Sequence, residues 1–293
     1  MKPAPFRYAA AESLEHALAL KARYGEEARF LAGGQSLIPA MNFRLAQPAV
    51  LIDINPLLEL NFISAGTDGL RIGARTRYAT VEHSAEVDTL QPLLAEVLPN
   101  IAHPQIRNRG TLCGNLAHAD PASELPAVML ASGARMHARS ASGERWIAAS
   151  DFFINLFETA LRADEMLVEI ELPPLPPRTG TCFMELARRQ GDYAMMGVAV
   201  QVTLDAGGKC TLASIALCNA GPTPMAAPAA AQVLVGNSLD SKVIAAAAAQ
   251  AQSEVSPNGN VHATADYQRH LAGVLTRRAL ATAGARALQK VPA

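Results

Sequence analysis

Residues 173 to 177 read Pro-Pro-Leu-Pro-Pro. Proline lacks an amide hydrogen and fixes φ, so this run fits neither a helix interior nor a central strand and favours a stiff extended connection. It divides the chain. The domain boundary is expected there, between residues 1–175 and residues 178–293. A length of 293 residues agrees with that division, at roughly 150 residues per domain. Half of the residues are apolar and only 17% charged, so both parts have enough material for packed cores and disorder is not expected.

Charge narrows the function classes. Lys plus Arg total 25 and Asp plus Glu 26, a net charge of −1, which excludes a strongly basic nucleic-acid binder. The four cysteines, Cys113, Cys182, Cys210 and Cys218, form no Cys-x-x-Cys pair. A zinc ribbon, a thioredoxin-type motif and an iron–sulfur motif are therefore unsupported, and reduced thiols in a cytoplasmic protein are expected. Arg7, Glu12 and Glu15 interrupt the N-terminus before any apolar signal region forms. The longest uncharged stretch, 210–239, contains Pro222, Pro224 and Pro228 and makes a poor membrane span.

Before the prolines, strand and helix signals alternate. A strand over Phe6–Ala9, a helix capped by Ser13 and ended by Gly25, a strand over Ala28–Leu31, a short helix over Ser36–Arg44 and a strand over Ala49–Ile54 make a β-α-β-α-β unit, lobe 1, about 1–55. Lobe 2, about 56–175, reads as a similar α/β unit. It has a strand at Leu70, Ile72 and Ala74, a helix over Tyr78–Ala85, and helical residues from Thr89 to Ile101 broken at Pro92 and Pro99. A helix through Ala127–Ala131, two strand-like runs flanking Ser142-Gly143, and a strand over Met166–Leu172 complete it. After the prolines, Val198, Val200, Val202 and Leu204 alternate with less apolar residues, Gly207-Gly208 turns, and Thr211–Leu217 pairs back. Helices through Ala245–Ala249 and Ala265–Leu288 come last.

Four passages carry possible chemistry. Ala32-Gly33-Gly34-Gln35-Ser36 comes after a strand and precedes a helix. Glycines there let backbone N–H groups approach a phosphate and Ser36 adds a hydroxyl; the other reading is a tight turn. The spacing matches neither a Rossmann nor a Walker motif. About eighty residues later, Arg109-Gly110-Thr111-Leu112-Cys113-Gly114-Asn115 repeats the mixture of small residues and donors, which points to a diphosphate held between two lobes. In His118-Ala119-Asp120-Pro121-Ala122-Ser123-Glu124, Asp120 either caps the next helix or accepts from sugar hydroxyls, and Glu124 has the same two options. His118 and His103 have no partners at metal-ligand spacing. Tyr193, after Arg188-Arg189-Gln190-Gly191-Asp192, either starts a strand or forms an aromatic lid over a flat ligand. No nucleophile arrangement emerges, so any difficult chemistry belongs to a cofactor.

Phe30-Leu31-Ala32-Gly33-Gly34-Gln35-Ser36-Leu37, the stretch from Ile106 to Pro121, and Ala187-Arg188-Arg189-Gln190-Gly191-Asp192-Tyr193-Ala194 together resemble the FAD-binding medium subunit of molybdenum hydroxylases. The nearest type is the carbon monoxide dehydrogenase medium subunit, related to the flavin domain of xanthine dehydrogenase, and the resemblance spans nearly the whole chain. It implies an α+β fold: a two-lobed FAD-binding domain of the PCMH/vanillyl-alcohol-oxidase type, then a small domain with an antiparallel sheet and helices. It further implies FAD cradled by Ala32, Gly33, Gly34, Gln35 and Ser36 and by Thr111, Gly114 and Asn115. Leu31, Leu37 and Ile38 would flank the first loop, with Ile101, Ala102, Ile106, Gly110 and Ala117 close by. Asp120 and Glu124 would be polar contacts, Leu167 would pack on the adenine side, and Tyr193 would approach the isoalloxazine ring.

The resemblance also implies partners: a large molybdenum-cofactor subunit and a small subunit with two [2Fe-2S] clusters, in a dimer of heterotrimers. The chain would take electrons from those clusters onto FAD and pass them to quinone, NAD, O2 or another acceptor, with no catalytic residue or metal of its own. A self-contained FAD oxidoreductase and a flavin-free scaffold are the alternatives. Leu112-Cys113 departs from the usual Ile-Gly of the second loop, and a positive φ at Cys113 would be strained.

Overall fold

Ser13 opens the first helix as its position predicts. Its Oγ accepts from the His16 amide at 3.1 Å, and Glu15 lies in the first turn. The computed structural model describes residues 1–290. In it, lobe 1 is a parallel sheet of β1 (Arg7–Ala10), β2 (Ala28–Leu31) and β3 (Val50–Asp53), ordered β1-β3-β2, with α1 (Leu14–Tyr24) between β1 and β2 and α2 (Leu37–Asn42) between β2 and β3. Strand β1 starts one residue later than expected. Leu14, Ala17, Leu18 and Lys21 are the buried stripe of α1. Lys21 closes the unit: its Nζ donates to the carbonyls of Gly25 (2.8 Å) and Ala28 (2.7 Å), and burial pushes its pKa down to about 8.

Lobe 2 is not a second parallel α/β unit. Its sheet is antiparallel throughout, built from β4 (Ile63–Gly66), β5 (Gly69–Gly73), β6 (Arg135–Ser140), β7 (Gly143–Ala148) and β10 (Met166–Leu172), in the order β4-β5-β10-β6-β7. β8 (Phe153–Asn155) and β9 (Glu158–Thr159) form a separate hairpin. The central strand β10 comes last in sequence, so the pairing rests on contacts about a hundred residues apart that no local pattern reveals.

Between β5 and β6 run α3 (Tyr78–Glu82), α4 (Ala85–Leu90), α5 (Pro92–Val97), α6 (Pro104–Arg107), α7 (Leu112–His118) and α8 (Glu124–Ser132); α9 (Ala149–Phe152) comes after β7. The helix expected over 78–85 stops at Glu82, because Ser84 restarts the chain by accepting from the Val87 amide at 3.3 Å. Pro92 sits at the start of α5, and Pro99 lies in a 3-10 turn, Leu98–Asn100.

The C-terminal part is a four-stranded antiparallel sheet in sequence order, β11 (Thr179–Ala187), β12 (Ala194–Leu204), β13 (Cys210–Cys218) and β14 (Met225–Ala226), covered by α10 (Pro228–Leu234), α11 (Ser241–Glu254) and α12 (Ala265–Leu288). Strand β11 was not expected. Met196, Val198, Val200, Val202 and Leu204 face the helices, while Ala199 and Ala216 join the N-terminal core. That second face packs on α8, which is buried at every position except Leu130 because both its sides are covered. Gln201 Nε2 donates to Ser132 Oγ at 3.0 Å across the contact. The Asn219 amide donates to the Pro121 carbonyl at 2.6 Å. Among the described residues no helix is long and apolar enough to cross a membrane.

Candidate functional site

The first glycine loop is defined by hydrogen bonds it does not make. From the end of β2 the chain turns through Ala32–Ser36 into α2, with Gly34 at φ +71°, where a side chain would be strained. Among the described residues, none of the five successive amides from Gly33 to Leu37 donates to a protein acceptor; the Ile38 amide, to Gly34 O at 3.0 Å, is the next to do so. The Ser36 hydroxyl caps nothing. Unpaired backbone donors in a row require water or a ligand, and a run of amides around a left-handed glycine is an anion-binding arrangement. Gln35 folds back, with Nε2 donating to Gly33 O at 3.2 Å.

The two glycine loops touch at Gly33. A Cβ there would lie 2.5 Å from Arg109 O and 2.7 Å from Gly110 Cα. Gly110 in turn rests on the Tyr78 ring, where its own Cβ would lie 2.5 Å from Cε2. A cleft of about 380 Å³ opens here, lined by residues 31 to 35, Ile38, Asn55 and Arg109. The second loop spends more of its donors within the protein than the first, and among the described residues only the amides of Thr111 and Cys113 there have no protein acceptor. Thr111 caps α7 by accepting from the Gly114 amide at 3.2 Å, the Leu112 amide donates to Thr76 O, and the Asn115 amide to Thr111 O. It also offers surface: Gly114 and Ala117, three residues apart on α7, are small and exposed. Cys113 lies inside α7 with its Sγ toward Ile72 O in the core, so position 113 needs no positive φ and the cysteine obstructs nothing.

A second group of expected residues gathers at the other end of α7. Ile101 is buried, and Ala102 has φ +48°. Both carbonyls accept from Arg107 Nη1 at 3.2 Å, while Arg107 Nε donates to Glu82 at 2.7 Å in a mostly buried ion pair. This holds the segment carrying the half-buried Ile106. From the C-terminal part, Gly191 (φ +86°) lies against the His103 ring and Ala102 O, which brings Tyr193 beside Asp120. Tyr193 is 58% exposed; partial enclosure and then the Asp120 carboxylate push its phenol above the usual range. Asp120 accepts from the Ala122 amide at 3.0 Å, a local turn, so it is not the cap of α8. Asn115 and Ser123 are paired, Nδ2 donating to Oγ at 2.7 Å and Oγ to Oδ1 at 3.0 Å. His118 is half-buried against Phe157, with ring centroids 5.1 Å apart, and burial lowers its pKa. Leu167 is buried in β10 opposite Ala138 and is not among the residues lining the cleft at Gly33.

Beside Tyr193 and Asp120 lies a buried pair of carboxyls, Glu124, which the sequence marked as a polar contact, and Glu185, which it did not. Glu185, Gly197 and Cys218 stand in one register row across β11, β12 and β13, and the N-terminus of α8 sets Glu124 near them. Burial pushes Glu124 up to about 7; the neighbouring Asp120 adds to the shift, and its own amide and the Ser123 hydroxyl oppose it. Burial, then the Glu124 carboxylate, pushes Glu185 up to about 8, and Glu185 Oε2 is buried with no partner. The unfolded chain ionises these groups near pH 4.5, whereas the native protein keeps the Glu185 proton until about pH 8. Their stabilising contribution is thus complete below pH 4.5 and is lost as the pH rises to 8. Glu185→Gln removes that loss. The thermal midpoint of the variant should exceed that of the parent by a few degrees at pH 9 and match it at pH 5, as read by differential scanning calorimetry. Equal midpoints at pH 9 would remove the buried-proton account.

Asn55, Arg77, Tyr78 and Glu185 are the residues at these sites that sequence reasoning missed. Asn55 lies just past the strand expected over Ala49–Ile54. The other three lie in segments whose local pattern says helix, strand or loop but not which neighbour they meet.

Comparison with known proteins agrees with this geometry. Residues 4–175 match the family described as FAD binding domain in molybdopterin dehydrogenase, and residues 181–283 the CO dehydrogenase flavoprotein C-terminal domain. The chain is 43% identical over 283 residues to the 6-hydroxypseudooxynicotine dehydrogenase complex subunit alpha of Paenarthrobacter nicotinovorans, covering 97% of this chain and 96% of that one. It is 40% identical to the carbon monoxide dehydrogenase medium chain of Afipia carboxidovorans, covering 98% and 99%. Among solved structures, a chain of carbon monoxide dehydrogenase from Hydrogenophaga pseudoflava, in a form lacking the Mo-pyranopterin moiety of the molybdenum cofactor, superposes with a TM-score of 0.95 at 39% identity, covering 98% and 99%. With the unpaired amides of residues 33–37 suited to a dinucleotide's diphosphate, these matches place the chain in the family of FAD-binding medium subunits of molybdenum hydroxylases.

Proposed function

We propose that this chain is the electron-transfer subunit of a three-subunit molybdenum hydroxylase. A large subunit holds the molybdenum cofactor and oxidises the organic substrate. A small subunit with two [2Fe-2S] clusters relays the electrons, and this chain passes them to an acceptor outside the complex, namely quinone, NAD, O2 or another, within a dimer of heterotrimers in the cytoplasm. The chain divides for this work at the proline run, into 1–175, with lobes about 1–55 and 56–175, and 178–293. The observation that carries the reading is the row of amides from Gly33 to Leu37, without protein acceptors and seated against the second loop at Gly110.

Bound FAD supplies exchange of single electrons with clusters and of pairs with an acceptor. The chain's own residues hold and orient it. The amides of residues 33–37 take the diphosphate, assisted by Ser36 Oγ, with Leu31, Leu37 and Ile38 around them. Gly114 and Ala117 give a close, flat approach along α7. Ala102, Ile106 and Asp120 border the other end, and Tyr193 shields it from water on the C-terminal side. Burial raises the Glu124 carboxyl to about 7, so it exchanges a proton near neutral pH. Purification with the large and small subunits tests this. One FAD per chain, with absorption near ~450 nm as expected of a flavin, together with molybdenum and iron in the complex, is the expected result. Dithionite-reduced clusters should pass electrons to a quinone or O2 only when this chain is present. Undiminished transfer without it would overturn the reading.

A further inference from the structure

Asn55 and Arg77 belong to neither glycine loop, yet between them they touch both. Asn55 lies just after β3. Its backbone N–H and its Nδ2 both donate to Asp53 Oδ1, at 2.9 and 2.6 Å, and Nδ2 also donates to Ala32 O at 2.9 Å. That fixes the amide so that Oδ1 accepts from Arg77 Nη2, while Arg77 Nη1 donates to the Arg109 carbonyl. Asp53 Oδ2 is held by the Tyr8 hydroxyl. The result is a continuous path from Ala32 through Asn55 and Arg77 to Arg109. Its ends are the residues immediately before Gly33 and Gly110, the pair at which the loops meet. Asn55 must donate and accept at once, and Arg77 must donate from two nitrogens in one plane.

Charge at this path is unbalanced. Arg75 and Arg109 lie near Arg77, Asp53 is the one acid that acts on it, and Arg75 Nε and Nη1 are buried without an acceptor. Burial, then Arg109 and Arg75, push the Arg77 pKa down. Surplus positive charge therefore sits behind a row of unpaired amides, where a bound anion is favoured.

We infer that Asn55 and Arg77 are positioning residues for the anionic end of the dinucleotide: their link sets the spacing of the two glycine loops, and the uncompensated guanidinium charge beside it adds to the pull of the amides. The inference rests on the reading that residues 33–37 hold a diphosphate. Three probes separate its parts in the deflavinated full-length chain: FAD, ADP, which has the diphosphate without the flavin, and riboflavin, which has the flavin without phosphate. Arg77→Met and Asn55→Ala should each weaken FAD and ADP about tenfold or more, the scale of a charge-assisted hydrogen bond, and leave riboflavin unchanged. Arg77→Lys should recover part of the loss, because it restores the charge but not the fork. Asn55→Ala added to Arg77→Met should cost little more, since either change breaks the same path. Unchanged FAD and ADP affinities in both Arg77→Lys and Asn55→Ala would overturn the inference, as would equal losses for all three probes. If Gly33→Ala leaves ADP binding intact, it is the diphosphate reading that fails; if Gly33→Ala abolishes ADP binding while the Asn55 and Arg77 variants do not, the inference alone fails.

Discussion

A single methyl group at Gly33 is expected to empty the protein of flavin. In Gly33→Ala the new Cβ would stand 2.5 Å from Arg109 O, 2.7 Å from Gly110 Cα and 3.1 Å from the Arg109 carbonyl carbon. All three are backbone atoms, so no side chain can rotate away. The opposing loop cannot retreat cheaply either. Gly110 is backed by the Tyr78 ring, its carbonyl accepts from the Tyr78 amide at 3.0 Å, and Arg107 ties the preceding segment to Glu82. Gly33 does not have a positive φ, so the substitution strains no backbone of its own and acts only by contact. The loops must separate, and the amides of residues 33–37 lose their alignment. FAD affinity should fall at least about a hundredfold, or about 3 kcal/mol, and the purified variant should lack the flavin absorption bands while its circular dichroism is unchanged. Gly66→Ala is the control, since a Cβ there meets only Gly69 O at 4.0 Å and φ is not positive. Stoichiometric flavin in Gly33→Ala would refute the role assigned to the contact between the loops.

What made these positions visible in the sequence was local. A glycine pair after an apolar strand, a serine three residues before a helical amide, and a long Ala-rich periodic run announce themselves within a few residues, and α12 accordingly spans Ala265–Leu288 as read. Two kinds of information were not local. The first is strand pairing: β10 sits between β5 and β6, so lobe 2 is antiparallel although its strands and helices alternate along the chain like those of lobe 1. The second is how donors are spent. Both glycine loops look alike as strings, yet Thr111 and Thr76 consume the amides of Leu112, Gly114 and Asn115 in the second and leave those of Thr111 and Cys113, whereas among the described residues nothing consumes the five from Gly33 to Leu37 in the first. Spacing shows where amides are, and only the fold shows which of them are already satisfied. The same limit hid Asn55 and Arg77, which gain their role by reaching loops 23 and 32 residues away.

Gly180→Val should cost the most stability of any change considered, by a route separate from flavin binding. Gly180 lies in β11 opposite Val202, at the point where α12 crosses the sheet. A Cβ there would overlap the Ala283 carbonyl oxygen and lie 2.6 Å from the Ala287 amide nitrogen. The helix can come this close because its contact face carries Ala279, Ala283 and Ala287. It is pinned there by Arg286, whose Nη1 donates to Thr181 O at 2.6 Å and pairs with Glu96. A valine must push the helix off the strand and loosen Leu271, Leu275 and Leu280 behind it. Overpacking against backbone should cost about 3 kcal/mol and lower the thermal midpoint by about 10 °C. The loops at Gly33 and Gly110 belong to the other core, so ADP affinity of the folded variant should stay within about twofold of the parent, because distant sites act nearly independently. Calorimetry and ADP titration on the same preparation check both halves. A midpoint within about 2 °C of the parent would mean that α12 does not bear on β11 as described, while a loss of ADP binding below the midpoint would mean that the spacing of the two glycine loops depends on the C-terminal sheet.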